Sequence, residues 1–407
     1  MVESMLASLG GDARQAPPSP GSPPALASGV QCYHVNCRLS QDVSDIGRAR
    51  KAKLFPLLKY CLQAIRIRFA HGADHFYFVP AAPCRLGMWR DWIVLGLCRP
   101  FFRRIIYHWH AAGLGLWIQS QARPWERWIS RRLLFQPDLS LVLGSYGRQD
   151  GEAVLSRRVV VVPNGLPDPI PAFDREVLPR RAARWVERAR LMASSGQGTP
   201  PPSAPRIFSV LYMSHCCREK GLFDALEAVV LCNQRLAQRG SPVQMQLSVA
   251  GTFLFKEEEE EFQQRLRQPD MTLESSADPS TTSRSPRVPT VLCLGFVSGE
   301  AKHRLLRESD CLCAPTWYAA ESLPTVLLDA MAFGLPIVTT RWRNIPDLFP
   351  SDYAGLVDPH SPSQVAEALL AHLQTPYDPM PRARFLACYT RERFIENLLA
   401  AFRTVKP

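Results

Sequence analysis

The chain has 407 residues, 46% hydrophobic and 21% charged, which is enough apolar material for two domains of ordinary size. That balance excludes wholesale disorder and a disulfide-stapled miniprotein. Its strictly apolar runs, such as residues 92–98, fall far short of the roughly 20 residues of a membrane-spanning helix. Pro17, Pro18, Pro20, Pro23 and Pro24 break any signal-peptide core, so a cytoplasmic location is expected.

Twelve cysteines are present, but none stand in C-x2-C spacing, and Cys293, Cys311 and Cys313 sit in apolar runs that predict buried strands. Reduced thiols fit this pattern better than disulfides or zinc. The net charge of +11 is uneven: residues 1–190 hold 27 Lys and Arg against 14 Asp and Glu, while the remainder is close to neutral. A basic first half predicts an anionic partner on that side.

Taken in chain order, residues 1–29 have loop composition and predict a disordered segment. Short β-rich runs at 75–80, 104–108, 139–143 and 159–163 alternate with helical patterns such as 51–69, giving a first α/β domain over 30–190. Residues 191–205 form a linker or insertion. A second α/β domain over 206–380 has strand-like runs at 207–213, 245–250, 290–294, 311–314 and 337–339, with helical patterns at 221–239 and 322–333. Residues 269–289 form a flexible insertion within it. Residues 381–407 predict a terminal helix or two. Alternation of this kind makes parallel sheets covered by helices, with ligand bound in a cleft outside the carboxyl ends of the strands.

The informative segment is 314–336, A-P-T-W-Y-A-A-E-S-L-P-T-V-L-L-D-A-M-A-F-G-L-P. Glu321 falls at or just before a helix start and Asp329 two turns on, so two carboxylates lie along one helix end with its unpaired N–H groups, less the one removed by Pro324. Glu followed by Asp at a helix start also serves plain capping and solvation.

Strand, then P-T-W-Y, then E-S-L-P-x-V-L-L-D-A-M-A-x-G-L-P resembles the donor-sugar signature of the retaining glycosyltransferases of family 4, which have the GT-B fold of two Rossmann-like domains. The family motif is E-x7-E. The resemblance implies that Glu321 contacts sugar hydroxyls, with Ser322, Leu323 and Thr325 beside it. Asp329, one methylene shorter than the usual Glu, takes the ribose hydroxyls. Residues 211–221, L-Y-M-S-H-C-C-R-E-K-G, resemble the loop after the first strand of the second domain, which usually ends in G-R-x(n)-K-G. Lys220 then meets the donor pyrophosphate, while Ser214 and His215 stand where Gly and Arg are usual. Arg218 either replaces that arginine or is a solvated loop residue. Gly295, Phe296 and Val297 match the loop that contacts the base. V-V-V-V-P-N-G-L at 159–166 resembles the V-I-P-N-G exit from the first domain, with Asn164 at its turn. In Y-H-W-H-A-A-G-L-G at 107–115, His110 matches a histidine near the donor sugar, with His108 second, although either also fits a packed histidine. The H-x-H spacing has no third and fourth ligand of matching context.

The resemblance fails before about residue 30, where the family's first strand and Gly-rich loop are expected to be missing or replaced. It implies transfer of a sugar from a nucleoside-diphosphate-sugar to a glycan or lipid-linked acceptor with retention. No metal, other cofactor or nucleic acid is needed. Peripheral association with an anionic membrane at its inner face goes with the basic first half. The alternatives are an impaired nucleotide-sugar-binding protein and a GT-B epimerase or phosphorylase.

Overall fold

The computed structural model describes residues 30–37, 54–194, 206–268, 271 and 289–405. The segment 1–29 and most of 191–205 and 269–289, for which loops were expected, lie outside the described residues. The chain divides into two compact units: Met1–Leu166 with Ala319–Leu323 and Arg391–Pro407, and Pro167–Tyr318 with Pro324–Thr390.

In the first unit the chain runs α1 (Leu54–His71), β1 (His75–Phe78), α2 (Arg85–Cys98), β2 (Arg104–Trp109), α3 (Leu114–Ser120), α4 (Pro124–Leu133), β3 (Leu139–Val142), α5 (Arg148–Ala153) and β4 (Val159–Val161). The strands are all parallel in the order β1-β2-β3-β4, with His75 opposite Arg104 and Ile106 opposite Leu139. β2 is buried at every position after Arg104 because both faces of the sheet are covered. Ile105, Tyr107 and Trp109 pack with Met88, Leu95 and Leu134 on one side, and Ile106 turns to the other. Residues 30–37 carry no strand, but Val30 and Cys32 pack onto the Ile106 side.

The second unit runs α6 (Phe173–Glu176), α7 (Leu178–Ser194), β5 (Arg206–Met213), α8 (Leu222–Gln238), β6 (Val243–Ala250), α9 (Lys256–Leu266), β7 (Val291–Gly295), α10 (Gly299–Glu308), β8 (Cys311–Ala314), α11 (Thr325–Ala332), β9 (Ile337–Thr340), β10 (Leu356–Val357), α12 (Pro362–Gln374) and α13 (Met380–Cys388). Its sheet is parallel in the order β10-β9-β8-β5-β6-β7. The first strand β5 therefore pairs with β6 on one side and β8 on the other, and the order reverses there. At such a switch point the loops leaving the carboxyl ends diverge and leave room for a ligand. A last helix, α14 (Arg391–Arg403), belongs to the first unit and seats Phe394, Ile395 and Leu398 against Ile106 and Leu139.

The units divide after Leu166, not at 190 as the composition suggested, and the expected terminal helix is two helices belonging to different units. The physical reason is in α7. Arg181 donates to the carbonyls of Leu306 and Ser309 (2.7 and 2.9 Å), Arg184 reaches those of Arg307 and Glu308, and Arg188 meets Asp310 at 2.7 Å. These arginines bind the carboxyl end of α10, where the helix dipole favours a cation. Part of the basic excess of residues 1–190 is thus spent inside the second unit. Cys311 and Cys313 are fully buried as expected, but Cys293 is exposed because β7 is an edge strand of the sheet.

Candidate functional site

The loop after β5 is fixed by backbone geometry. A Cβ at Gly251, just past β6, would lie 1.8 Å from the Ser214 carbonyl oxygen, so only glycine lets the two loops pass. Gly221 has φ +79, caps α8 and would bring a Cβ 2.3 Å from the Pro315 carbonyl. Against this turn lies the loop after β8: Trp317 N–H and Thr316 Oγ1 both donate to the Glu219 carbonyl, at 2.8 and 3.3 Å. The result places Lys220 Nζ 4.5 Å from the centre of the Tyr318 ring, a cation–π contact. His215 is close enough to Lys220 for that cation to act on it. Partial burial first, and Lys220 second, hold its imidazole below the ordinary histidine value.

Arg218 is turned away from this arrangement. Its Nη2 reaches both carboxylate oxygens of Glu261 at 2.5 and 2.6 Å, its guanidinium lies over Phe223, and Glu261 raises its pKa. The acidic run of α9, unremarked in the sequence, supplies the partner of Arg218.

α11 begins at Thr325, three residues later than the sequence suggested. Pro324 is its N-cap, with φ −63 and ψ 119, and proline steers the residue before it away from helical backbone. Glu321, Ser322 and Leu323 therefore form a buried turn ahead of the helix, while Thr325 is exposed on its first turn. One turn in, Asp329 accepts from Lys302 Nζ at 2.9 Å, an ion pair between α11 and α10. After β7, Gly295 has φ +66 and open space around it, and Phe296 projects into solvent, followed by Val297. Lys220, Gly295–Val297 and Asp329 thus follow the carboxyl ends of strands β5, β7 and β8 of one sheet, of which β5 and β8 are paired and β7 lies beyond β6.

In the first unit, His108 is fully buried, with Tyr77 Oη against its Nδ1 and no partner among the described residues for its Nε2. His110 lies next to it, ring centres 4.2 Å apart. Burial keeps both rings neutral: His108 falls well below the ordinary value and His110 to about 4. The loop that follows is held by Asp150 of α5, whose carboxylate is 1% exposed and accepts from Gly113 and Gly115 N–H at 2.8 and 2.7 Å. Ala112 N–H donates to the Ala320 carbonyl at 3.3 Å, which ties the histidine loop to the residue preceding Glu321. Asn164 is buried, with its Oδ1 unpartnered among the described residues.

Of the expected residues, the structure sets His215 near Lys220 and His110 against His108, pairs Arg218 with Glu261 and Asp329 with Lys302, and assigns Glu321, Ser322 and Leu323 to the first unit. Sequence reasoning missed Asp150, Tyr77 and Lys302. Each acts on a partner 27 or more positions away, so only the fold brings them together. Gly251 did have a signal, a glycine directly after an apolar strand. Among the described residues no three His, Cys, Asp or Glu side chains gather as a metal site.

Residues 207–375 match the family described as Glycosyl transferases group 1. A stretch of 87 residues is 34% identical to the amylovoran biosynthesis glycosyltransferase AmsK of Erwinia amylovora, covering 20% of this chain and 21% of that protein. The chain thus matches that relative over about a fifth of the relative's length. Among solved structures, the sucrose-phosphate synthase of Thermosynechococcus elongatus aligns over 88% of this chain and 80% of its own, with TM-score 0.57 and 17% identity. A glycosyltransferase of Rickettsia africae ESF-5 aligns over 88% and 83%, with TM-score 0.59 and 10% identity. Anabaena Alr3699/HepE in complex with UDP and glucose aligns over 85% and 82%, with TM-score 0.54 and 15% identity. With two parallel-sheet α/β units, these likenesses establish the GT-B fold.

Proposed function

We propose that this chain is a glycosyltransferase that moves a sugar from a nucleoside-diphosphate-sugar to a glycan or lipid-linked acceptor, with retention at the anomeric carbon, in polysaccharide assembly. The observation that carries the reading is that Lys220 and Asp329 follow β5 and β8, the paired strands at the switch point of the second sheet, with Gly295–Val297 at the carboxyl end of β7 in the same sheet. A lysine, a backbone loop and a carboxylate in that order suit a pyrophosphate, a base and a ribose. AmsK, named for amylovoran biosynthesis, and HepE, solved with UDP and glucose, support the reading.

Breaking the bond from the anomeric carbon to the diphosphate leaves negative charge on the departing oxygen and positive character on the sugar. Lys220 stabilises the first. Glu321 accepts hydrogen bonds from sugar hydroxyls and fixes the donor. His110, neutral at physiological pH, contributes a hydrogen bond near the reacting carbon and no charge. Asn164 lines the donor side. Catalysis calls on no metal or other cofactor.

One observation favours a second reading, a nucleotide-sugar-binding protein of low turnover: Asp329 is engaged by Lys302 and Arg218 by Glu261. The test is thermal stabilisation by UDP-, GDP- and ADP-sugars followed by turnover of the best labelled donor. Stabilisation with sugar transfer supports the first reading, and stabilisation without turnover the second. Release of an epimerised or phosphorolysed sugar would mark a GT-B epimerase or phosphorylase instead.

A further inference from the structure

The second unit holds a cavity at the other end of its sheet from Lys220 and Asp329. Asp310 and Pro336, the residues just before β8 and β9, line it, so it lies at the amino ends of those parallel strands. Its volume is about 270 Å³, below the roughly 300–1,000 Å³ of sites for drug-sized ligands, which suits a single sugar unit. α7 forms one wall with Arg181, Trp185 and Arg188, and the loop between β9 and β10 forms another with Tyr353. Tyr353 is fixed in place: its Oη donates to the Ile337 carbonyl and accepts from the Ile337 N–H, both at 3.0 Å, and its ring stacks on Phe349 at 4.5 Å. The aromatic wall therefore exists before any ligand arrives.

The inner lining is short of acceptors and of negative charge. Arg181 Nε, Trp185 Nε1 and Arg188 Nε are buried donors without a partner among the described residues. Arg188 and Arg184 pair with the carboxylate of Asp310 at 2.7 and 3.6 Å, whereas Arg181, 5% exposed, is met by the carbonyls of Leu306 and Ser309. Burial first, and the neighbouring Arg184 second, work against the Arg181 charge. Buried donors without acceptors and a surplus of buried cations both raise the free energy of the empty cavity, and a ligand bringing acceptors and negative charge relieves it. At the mouth the lining changes sign: Asp352 and Asp378 are exposed carboxylates, which accept from hydroxyl groups.

We propose that this cavity is a second binding site, for a monosaccharide that carries one anionic group, a phosphate or a carboxylate. The anion meets Arg181, Trp185 Nε1 and Arg188, the sugar ring lies against the aromatic wall, and its hydroxyls donate to Asp352 and Asp378. A bare anion would leave the two carboxylates at the mouth unused and be repelled by them, and a neutral sugar would leave the arginines as they are. This goes beyond the transfer reaction and stands or falls separately from it.

The test is calorimetric titration of the full chain with glucose 6-phosphate, glucuronate, glucose and inorganic phosphate, with and without UDP. Glucose 6-phosphate or glucuronate should bind about tenfold or more tighter than glucose and inorganic phosphate, with one site per chain that UDP does not displace. The tighter of the two identifies the anion. Trp185→Phe, which removes Nε1 and keeps an aromatic ring, should weaken that ligand about three- to tenfold without lowering the unfolding temperature, since it deletes a donor that had no partner. Ala354→Trp, at an exposed position of the mouth, should abolish binding, and Lys220→Ala should bind the ligand as the wild type does. Should Ala354→Trp fail to fold, Trp185→Phe decides. Three results overturn the proposal: no binding of either anionic sugar, binding that Trp185→Phe leaves unchanged, or binding lost with UDP or in Lys220→Ala, which would place the sugar among the loops at the carboxyl ends of the strands.

Discussion

The loops at the carboxyl ends of the second unit's strands and the interior of the first unit use charge in opposite ways. In the second unit, Lys220 and Asp329 stand on a loop and a first helical turn beyond the sheet, part-exposed, with Lys220 against the Tyr318 ring and Asp329 paired with Lys302. In the first unit, Asp91, Glu126 and Asp150 are sealed inside and hold backbone: Asp91 accepts from Ala81 N–H at 2.7 Å, Glu126 from Arg123 N–H at 2.7 Å, and Asp150 from two glycines. A charge at the rim of a sheet is available to a ligand, whereas one inside must be satisfied by the protein itself. Substitutions in the first unit's interior should therefore unfold or loosen the molecule, and those at the second unit's rim should change binding in an intact fold.

The largest expected effect tests the interior side. Asp150→Ala leaves two buried N–H groups without an acceptor and should cost about 2–4 kcal/mol in a urea titration. An unchanged midpoint would show that the loop needs no such anchor. Glu321→Ala comes next: a turn residue holding a bound sugar should cost about 1.5–3 kcal/mol of transfer, a drop of roughly tenfold to over a hundredfold, with the unfolding temperature within a few degrees of wild type. Near wild-type turnover would remove Glu321 from the site.

The histidine pair sharpens the comparison through pH. His110 falls from the ordinary 6.5 to about 4 because it is buried, and His108 shifts the same way. A depressed histidine pKa means that the unfolded chain takes up protons the folded chain refuses, so stability is full above about pH 6.5 and falls as pH drops towards 4. For His110 alone the loss between about pH 7.5 and about pH 5 should be about 2 kcal/mol. Denaturant curves at both pH values should show that loss in the wild type and less of it in His110→Gln. The same loss in both would mean that His110 protonates freely in the fold.

The smallest effects lie at the rim. Lys220→Ala should weaken a nucleoside diphosphate by about 1–2 kcal/mol and the nucleoside itself hardly at all. Equal weakening of both would take Lys220 away from the pyrophosphate. His215→Arg places a fixed cation beside Lys220 and should tighten the diphosphate a few-fold by calorimetry, whereas no change would show that position 215 faces elsewhere.

The strands and the order of the second unit's site were legible in the sequence because a buried parallel strand must be a continuous apolar run and because loop residues follow it directly. Ile207 to Met213 and Cys311 to Ala314 carry that signal, and so does the segment through Glu321 and Asp329. The helix start was misplaced because hydrophobic period runs on through Ser322 and Leu323, while the stop is imposed by Pro324. β10 was missed since two residues, Leu356 and Val357, carry no period at all.

The amino-acid sequence by itself determined the alternation of strand and helix, the two-sheet architecture and the positions from which Glu321, Lys220 and Asp329 project, since all of these follow from short-range pattern. Only the tertiary structure decided what those groups meet. Asp150 beneath the histidine loop, Glu261 on Arg218, Lys302 on Asp329 and the α7 arginines on the end of α10 are contacts between segments distant in the chain. Charge and hydrogen bonding act through space. A residue type shows that a charge is there, and the fold decides whether it is spent on the protein or left for a ligand.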